Sequence, residues 1–219
     1  MNLASSVQKI YEEIFFSMLR YHNKKYNLDS LSLSGGCVQN SVANGKIKEE
    51  TNFKNIYIPP AAGDAGGAIG SSMFFLKRHK IHHDNNFDYA YLGSYFTNDE
   101  ISEVIKNNQL QKLNFEIKNL NDESLNSEVA KSLNSGKVVG WFKGKMEWGP
   151  RALGNRSILY NPGLINAKDV LNIKIKRREN FRPFAPAIMH EYCKDWFEGV
   201  DGDNFMSSVY KVKKEKISL

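Results

Sequence analysis

Side chains able to do chemistry gather in three glycine-bearing loops and one basic turn. The first loop is Leu33-Ser34-Gly35-Gly36-Cys37-Val38-Gln39-Asn40, where a short apolar strand gives way to paired glycines and then a helix. Glycines let a ligand approach the backbone, and the free N–H groups at a helix start favour phosphate. It is not a P-loop, because no Gly-Lys-Ser/Thr follows. A tight strand-to-helix turn with no ligand would need the same glycines. The second loop is Pro59-Pro60-Ala61-Ala62-Gly63-Asp64-Ala65-Gly66-Gly67-Ala68. Asp64 stands at the expected start of a helix. Its carboxylate can cap that helix by accepting backbone N–H bonds, or can hold a divalent metal beside a nucleotide phosphate. The glycines and alanines behind it permit close approach and tip the reading toward the metal.

The third loop, Gly144-Lys145-Met146-Glu147-Trp148-Gly149-Pro150-Arg151-Ala152-Leu153-Gly154-Asn155-Arg156-Ser157, carries three cations and an amide between glycines and a proline. Arginine forks grip phosphate and carboxylate oxygens at two points. Met146, Trp148 and Leu153 suggest that the loop is packed rather than solvated. The basic turn runs from Lys174 to Pro186 and includes Lys176, Arg177, Arg178 and Arg182, offset by Glu179. Phe181 and Phe184 could stack on bases, so nucleic acid and a phosphate-bearing small molecule both fit. Pro183 and Pro186 fix the path of the chain there.

Other chemistries are poorly supported. His79 and His83 have metal-binding spacing if helical, with His82 beside them, but they fall where the helical pattern fades and no HExxH frame is present. There is no GxSxG elbow, and neither cysteine has an evident histidine partner, so covalent hydrolysis is not indicated.

Alternating elements must position these loops. Leu3, Val7, Ile10, Ile14, Met18 and Tyr21 recur at steps of three and four, predicting a helix over 3–22 with that face turned to the core. Strands are expected at 31–34 and 55–58, with helices at 38–50 and 64–79. Residues 80–90, Lys-Ile-His-His-Asp-Asn-Asn-Phe-Asp-Tyr-Ala, lack pattern and read as a linker. Beyond them Thr97 and Glu100 form a capping box. A strand at 113–117 and a helix through Leu125, Val129 and Leu133 follow, and Gly136 ends that helix. A buried strand at 138–142, a short one at 158–160, a helix at 166–175, and a final strand and short helix to Phe197 complete the second set. The fold class is α/β in two units.

The chain's 219 residues allow one large domain or two small ones, and 41% hydrophobic content argues against disorder. Two cysteines without a CxxC point to a reducing, cytoplasmic compartment. No apolar run reaches the roughly 20 residues of a membrane helix, and the first residues do not resemble a signal peptide. A net charge of +6 favours anionic partners without choosing among them.

In this order, the stretches resemble the carbamoyltransferase family of nodulation protein U, cephalosporin carbamoyltransferase and tobramycin carbamoyltransferase. The residues Leu31–Ile47 look like its glycine-rich nucleotide segment, and Ile56–Gly70 like its metal-site segment. Val138–Leu159 and Lys176–Pro186 look like the signature of its C-terminal domain. Lys145 stands where the family commonly has Arg, and the family's upstream HxxxH pair and its later His-Val-Asp-Gly segment are absent.

The resemblance implies part of an actin-like ATPase (ASKHA) domain over 1–85, followed over 86–219 by a YrdC-like α/β domain truncated at its C-terminus. It implies that ATP and carbamoyl phosphate give carbamoyl-adenylate, whose carbamoyl group passes to the hydroxyl of a small-molecule acceptor. The catalytic residues would be Lys145, Arg151 and Arg156. Gly35, Gly36, Asn40, Asn155, Ser157, Arg178 and Arg182 would bind ATP, and Asp64 would bind iron or magnesium, with most metal ligands outside this chain. The partners would be the two small molecules and the preceding part of the same polypeptide, with neither nucleic acid nor membrane. The chain itself would be a fragment, inactive alone. Threonylcarbamoyl-adenylate chemistry in tRNA modification and a basic nucleic-acid-binding module are the competing readings.

Overall fold

The computed structural model describes residues 2–82, 89–108, 115–200 and 203–217. Internal contacts divide the chain into two compact units. Both mix helices with small sheets, as an α/β chain should. His83 and most of the expected linker lie outside the described residues, as do Leu113 and Asn114 of the strand expected at 113–117. Residues 115–120 form no strand.

The first unit comprises residues 1–90, 148–151 and 188–218. It opens with α1 (Asn2–Tyr26), which stops where Asn27 turns left-handed at φ 49°. The helix carries two apolar stripes, and the core takes the aromatic one. Phe15, Phe16 and Leu19 are buried with Ala43, Ile47 and Phe53, and Tyr11 stacks on Phe15. The stripe expected to face inward is exposed instead, with Ile14 at 65%.

A parallel pair follows. β1 (Ser30–Ser32) lies beside β2 (Asn55–Tyr57), with Leu31 opposite Ile56. The single helix expected over 38–50 is broken into a 3₁₀ turn at Gly36–Gln39, α2 (Ser41–Gly45) and α3 (Ile47–Glu50). The break falls at Asn40, whose side chain accepts the Ala43 N–H at 3.2 Å and so caps α2. A smaller cluster of Val38, Ile58 and Ala62 sits under the loops that leave the strands. α4 (Gly66–Arg78) completes this part.

The second unit comprises residues 91–147 and 152–187, with Leu219 outside the described residues. α5 (Asn98–Asn107) starts with the expected capping box of Thr97 and Glu100. α6 (Asp122–Asn134) is capped by Asn121, and Gly136 follows it at φ 77°. β3 (Val139–Phe142) pairs antiparallel with β4 (Arg156–Leu159), Phe142 opposite Arg156, so the long loop between them is closed at its base. The helix expected at 166–175 is a short turn, α7 (Ala167–Asp169), running into a π-helix at Val170–Lys176. In the first unit, a 3₁₀ turn at His190–Tyr192 leads into α8 (Cys193–Trp196), with no strand before it among the described residues.

Ile47 is fully buried, so Ile47→Ala should cost about 2–5 kcal/mol. Ile14→Ala, on the exposed stripe, should cost under about 0.5 kcal/mol. Urea melts of the two variants read the difference, and equal costs would mean that α1 packs through its other face.

Candidate functional site

In the first unit the parallel strands run out at the same edge, and each feeds one predicted loop. That edge is where open α/β sheets place ligands. The loops are tied together: Leu33 N–H donates to Tyr57 O at 3.0 Å, and Gly35 N–H to Ala62 O at 2.7 Å. Gly35 has φ 104°, a conformation that disfavours any side chain. A Cβ on Gly35 or Gly36 would meet nothing within 4 Å, so the backbone there faces open space. Asn40 is engaged within the fold. Besides capping α2, it donates through Nδ2 to Gln8 Oε1 at 2.8 Å.

Asp64 is exposed on the turn before α4. It is not a side-chain cap, because α4 begins at Gly66 with Ala65 in the cap position and no capping side chain. Its main-chain carbonyl accepts the Gly67 N–H instead. Among the described residues no group of three or more His, Cys, Asp or Glu converges to hold a metal. One carboxylate is a single oxygen ligand where magnesium takes about six, so these residues do not form a divalent-cation site by themselves. His79, at the end of α4, packs its ring against Phe75, and His83 lies outside the described residues.

In the second unit the loop between β3 and β4 is wound around Glu147. This residue is only 3% exposed. Its Oε1 accepts three backbone N–H bonds, from Leu153 at 2.6 Å, Asn155 at 2.9 Å and Arg156 at 3.3 Å. Its Oε2 lies 3.5 Å from Arg156 Nε and has no hydrogen-bond partner. Burial pushes the carboxyl pKa up, but the backbone N–H groups of Leu153, Asn155, Glu147 itself and Arg156 together outweigh it and hold the pKa below the ordinary value. Further bonds fix the frame: Asn155 Nδ2 to Lys145 O at 2.7 Å, Gly154 N–H to Ser157 Oγ at 3.1 Å, and Tyr91 OH to Leu153 O at 3.0 Å. Lys145 is exposed, and Arg156 is partly so. Arg151 belongs with Trp148–Pro150 to the first unit, where Gly149, at φ 104°, is seated against the Pro60 carbonyl. The expected cations are therefore shared out, Arg151 in one unit and Lys145, Arg156, Arg178 and Arg182 in the other.

The basic turn has its own buried organiser, Asn172, which is fully buried. Its Nδ2 donates to Arg182 O at 2.9 Å and Asn180 O at 3.3 Å, and its Oδ1 accepts Arg178 Nε at 2.6 Å. The Arg178 guanidinium also covers Phe184, 4.6 Å from the ring centre. Arg182 is exposed and pairs with Glu179 at 2.9 Å.

Sequence reading passed over Glu147 and Asn172. The available signals were modest: one carboxylate among three cations, and one amide inside the apolar run Val170-Leu171-Asn172-Ile173.

Two family models match: carbamoyltransferase N-terminus over residues 1–73 and carbamoyltransferase C-terminus over residues 130–219. The chain belongs to the carbamoyltransferase family. It is 40% identical to an uncharacterised protein of Synechocystis, with 98% of this chain and 35% of the relative covered. It is 34% identical to nodulation protein NolO of Bradyrhizobium diazoefficiens, with 98% of this chain and 39% of the relative covered. It is 31% identical to the 3'-hydroxymethylcephem-O-carbamoyltransferase of Streptomyces clavuligerus, over 84% of this chain and 33% of the relative. The chain thus spans about a third of the length of these relatives. No helix among the described residues is long and apolar enough to cross a membrane.

A carboxyl held below its ordinary pKa in the fold adds stability at pH values above its unfolded pKa, about 4.3. That contribution is lost as pH falls through the folded value. Glu147→Gln should cost about 1–3 kcal/mol at pH 7, and the gap between variant and wild type should shrink on acidification. Thermal melts between pH 7 and 3 measure it; a constant gap would mean that the charge of Glu147 contributes nothing.

Proposed function

We propose that this chain is part of an O-carbamoyltransferase that uses ATP and carbamoyl phosphate to form carbamoyl-adenylate and passes the carbamoyl group to a hydroxyl of a small molecule. One observation carries the reading: the loop that bears Lys145, Asn155 and Arg156 is a rigid frame around a buried carboxylate, in a chain whose two ends match the two parts of one transferase family. The hydroxyl acceptor follows from similarity to a 3'-hydroxymethylcephem-O-carbamoyltransferase.

Residues 86–219 then act as the YrdC-like, adenylate-forming part and residues 1–85 as a portion of the actin-like transfer part. Lys145 and Arg156 neutralise phosphate oxygens as the negative charge of two anionic reactants is brought together. Asn155 and Ser157 orient the reactants through the loop backbone that they brace, and Arg178 and Arg182 contact the nucleotide. Gly35 and Gly36 admit a phosphate to the backbone at the strand edge, while Asn40 shapes that turn from behind. Asp64 would supply one oxygen ligand to iron or magnesium, which would polarise the carbamoyl carbonyl. The remaining ligands come from outside this chain.

Calorimetry with ATP tests the assignment. Wild type should bind, and Arg156→Ala should lose roughly tenfold in affinity or more. Gly36→Ala should leave the melting temperature nearly unchanged, because its Cβ meets open space, yet weaken ATP by obstructing the approach. Wild-type affinity in both variants would remove both segments from the nucleotide site.

A further inference from the structure

We propose that Glu147 is a positioning residue for Arg156, aiming its guanidinium at a phosphate group of the bound reactant. The inference rests on the phosphate-binding reading of this loop and adds to it a residue with two separable tasks. Oε1 is saturated by the N–H groups of Leu153, Asn155 and Arg156, and these bonds close the loop. Oε2 takes no part in that closure. It is buried and accepts no hydrogen bond, and Arg156 Nε lies 3.5 Å away.

A loop staple would need only the first oxygen. Keeping a second charged oxygen out of water is costly unless a cation compensates it, and Arg156 is the cation facing it. At 3.5 Å the contact is longer than a good hydrogen bond, and catalytic contacts often tighten when the reactant arrives. Arg156 is held by its main chain as well, through β4 opposite Phe142 and through its own N–H to Glu147. Its side chain nevertheless keeps 33% of its surface exposed, while that of Glu147 keeps none. A guanidinium has five N–H donors in a planar fork, so holding the Nε edge fixes the direction of the rest. Glu147 thus converts a surface arginine into an aimed one, without itself touching the reactant.

Glu147→Gln separates the two tasks. The amide oxygen can still accept the three N–H bonds, while the amide nitrogen turns a donor toward Arg156 Nε. The experiment titrates ATP calorimetrically into the 219-residue chain as wild type, E147Q, R156A and the double variant. NMR follows the Arg156 Nε–H and the amides of Leu153 and Asn155 in parallel. E147Q should weaken ATP roughly tenfold and expose the Arg156 Nε–H to exchange, with both amides still protected. In the R156A background the same change should have no further effect on affinity. Should E147Q not fold, R156K decides, since it keeps the charge and the three backbone bonds but has no Nε–H: it should bind as weakly as R156A. The positioning role is overturned if E147Q binds ATP like wild type, if the E147Q and R156A losses add, or if R156K binds like wild type. Absence of ATP binding in wild type would instead overturn the phosphate reading of the loop, and this proposal with it.

Discussion

The buried carboxylate of Glu147 is the constraint on which the candidate chemistry depends. Thirteen residues of loop separate β3 from β4, enough to wander as solvated chain, yet three N–H groups at its far end converge on one oxygen. Each bond would be modest in water. Removed from solvent and donated to a full negative charge, they are stronger, and together they keep the carboxyl ionised against the cost of burial. Remove the side chain's acceptor oxygen and the glycines at 144 and 154, both at positive φ, have nothing to curl around.

The same device recurs at smaller scale. Asn172 gathers the basic turn by bonding two carbonyls and one guanidinium, and the helix that carries it widens to a π-helix there. Such bulges are a common way to bring a polar group out of helical register. Asn40 breaks a helix in the first unit so that the strand-to-helix turn ends in open backbone at Gly35 and Gly36. In each case a short polar side chain, held by backbone bonds, fixes where a loop runs. The cations are then carried on a settled path, which lowers the entropy cost of assembling them around an anion.

Much of this was legible in residue patterns, and the exceptions have physical causes. The strands at Leu31 and Ile56, the capping box at Thr97 and the glycine stop at Gly136 are local decisions made by local chemistry. The inward face of α1 was misjudged because periodicity shows that an apolar stripe exists, not which of two competing stripes the core takes. The helix over 38–50 was drawn too long because Asn40 reads equally as an interior residue and as a cap until its partner at Ala43 is seen. Glu147 carries no such sign, because the loop's cations Lys145, Arg151 and Arg156 look like the chemistry, while a buried carboxylate announces itself only through groups several residues further on. Motif order pointed to the carbamoyltransferase family, and the family matches at both ends of the chain agree.

Backbone amide exchange at Leu153, Asn155 and Arg156 examines the central claim most directly. If the loop is a frame closed on the Glu147 carboxylate, these three amides should show protection close to that of the β3–β4 ladder at neutral pH. Their protection factors should fall together in Glu147→Ala, which removes the shared acceptor. Exchange at the rate of an open loop in the wild type, or three amides that respond independently to Glu147→Ala, would contradict the account.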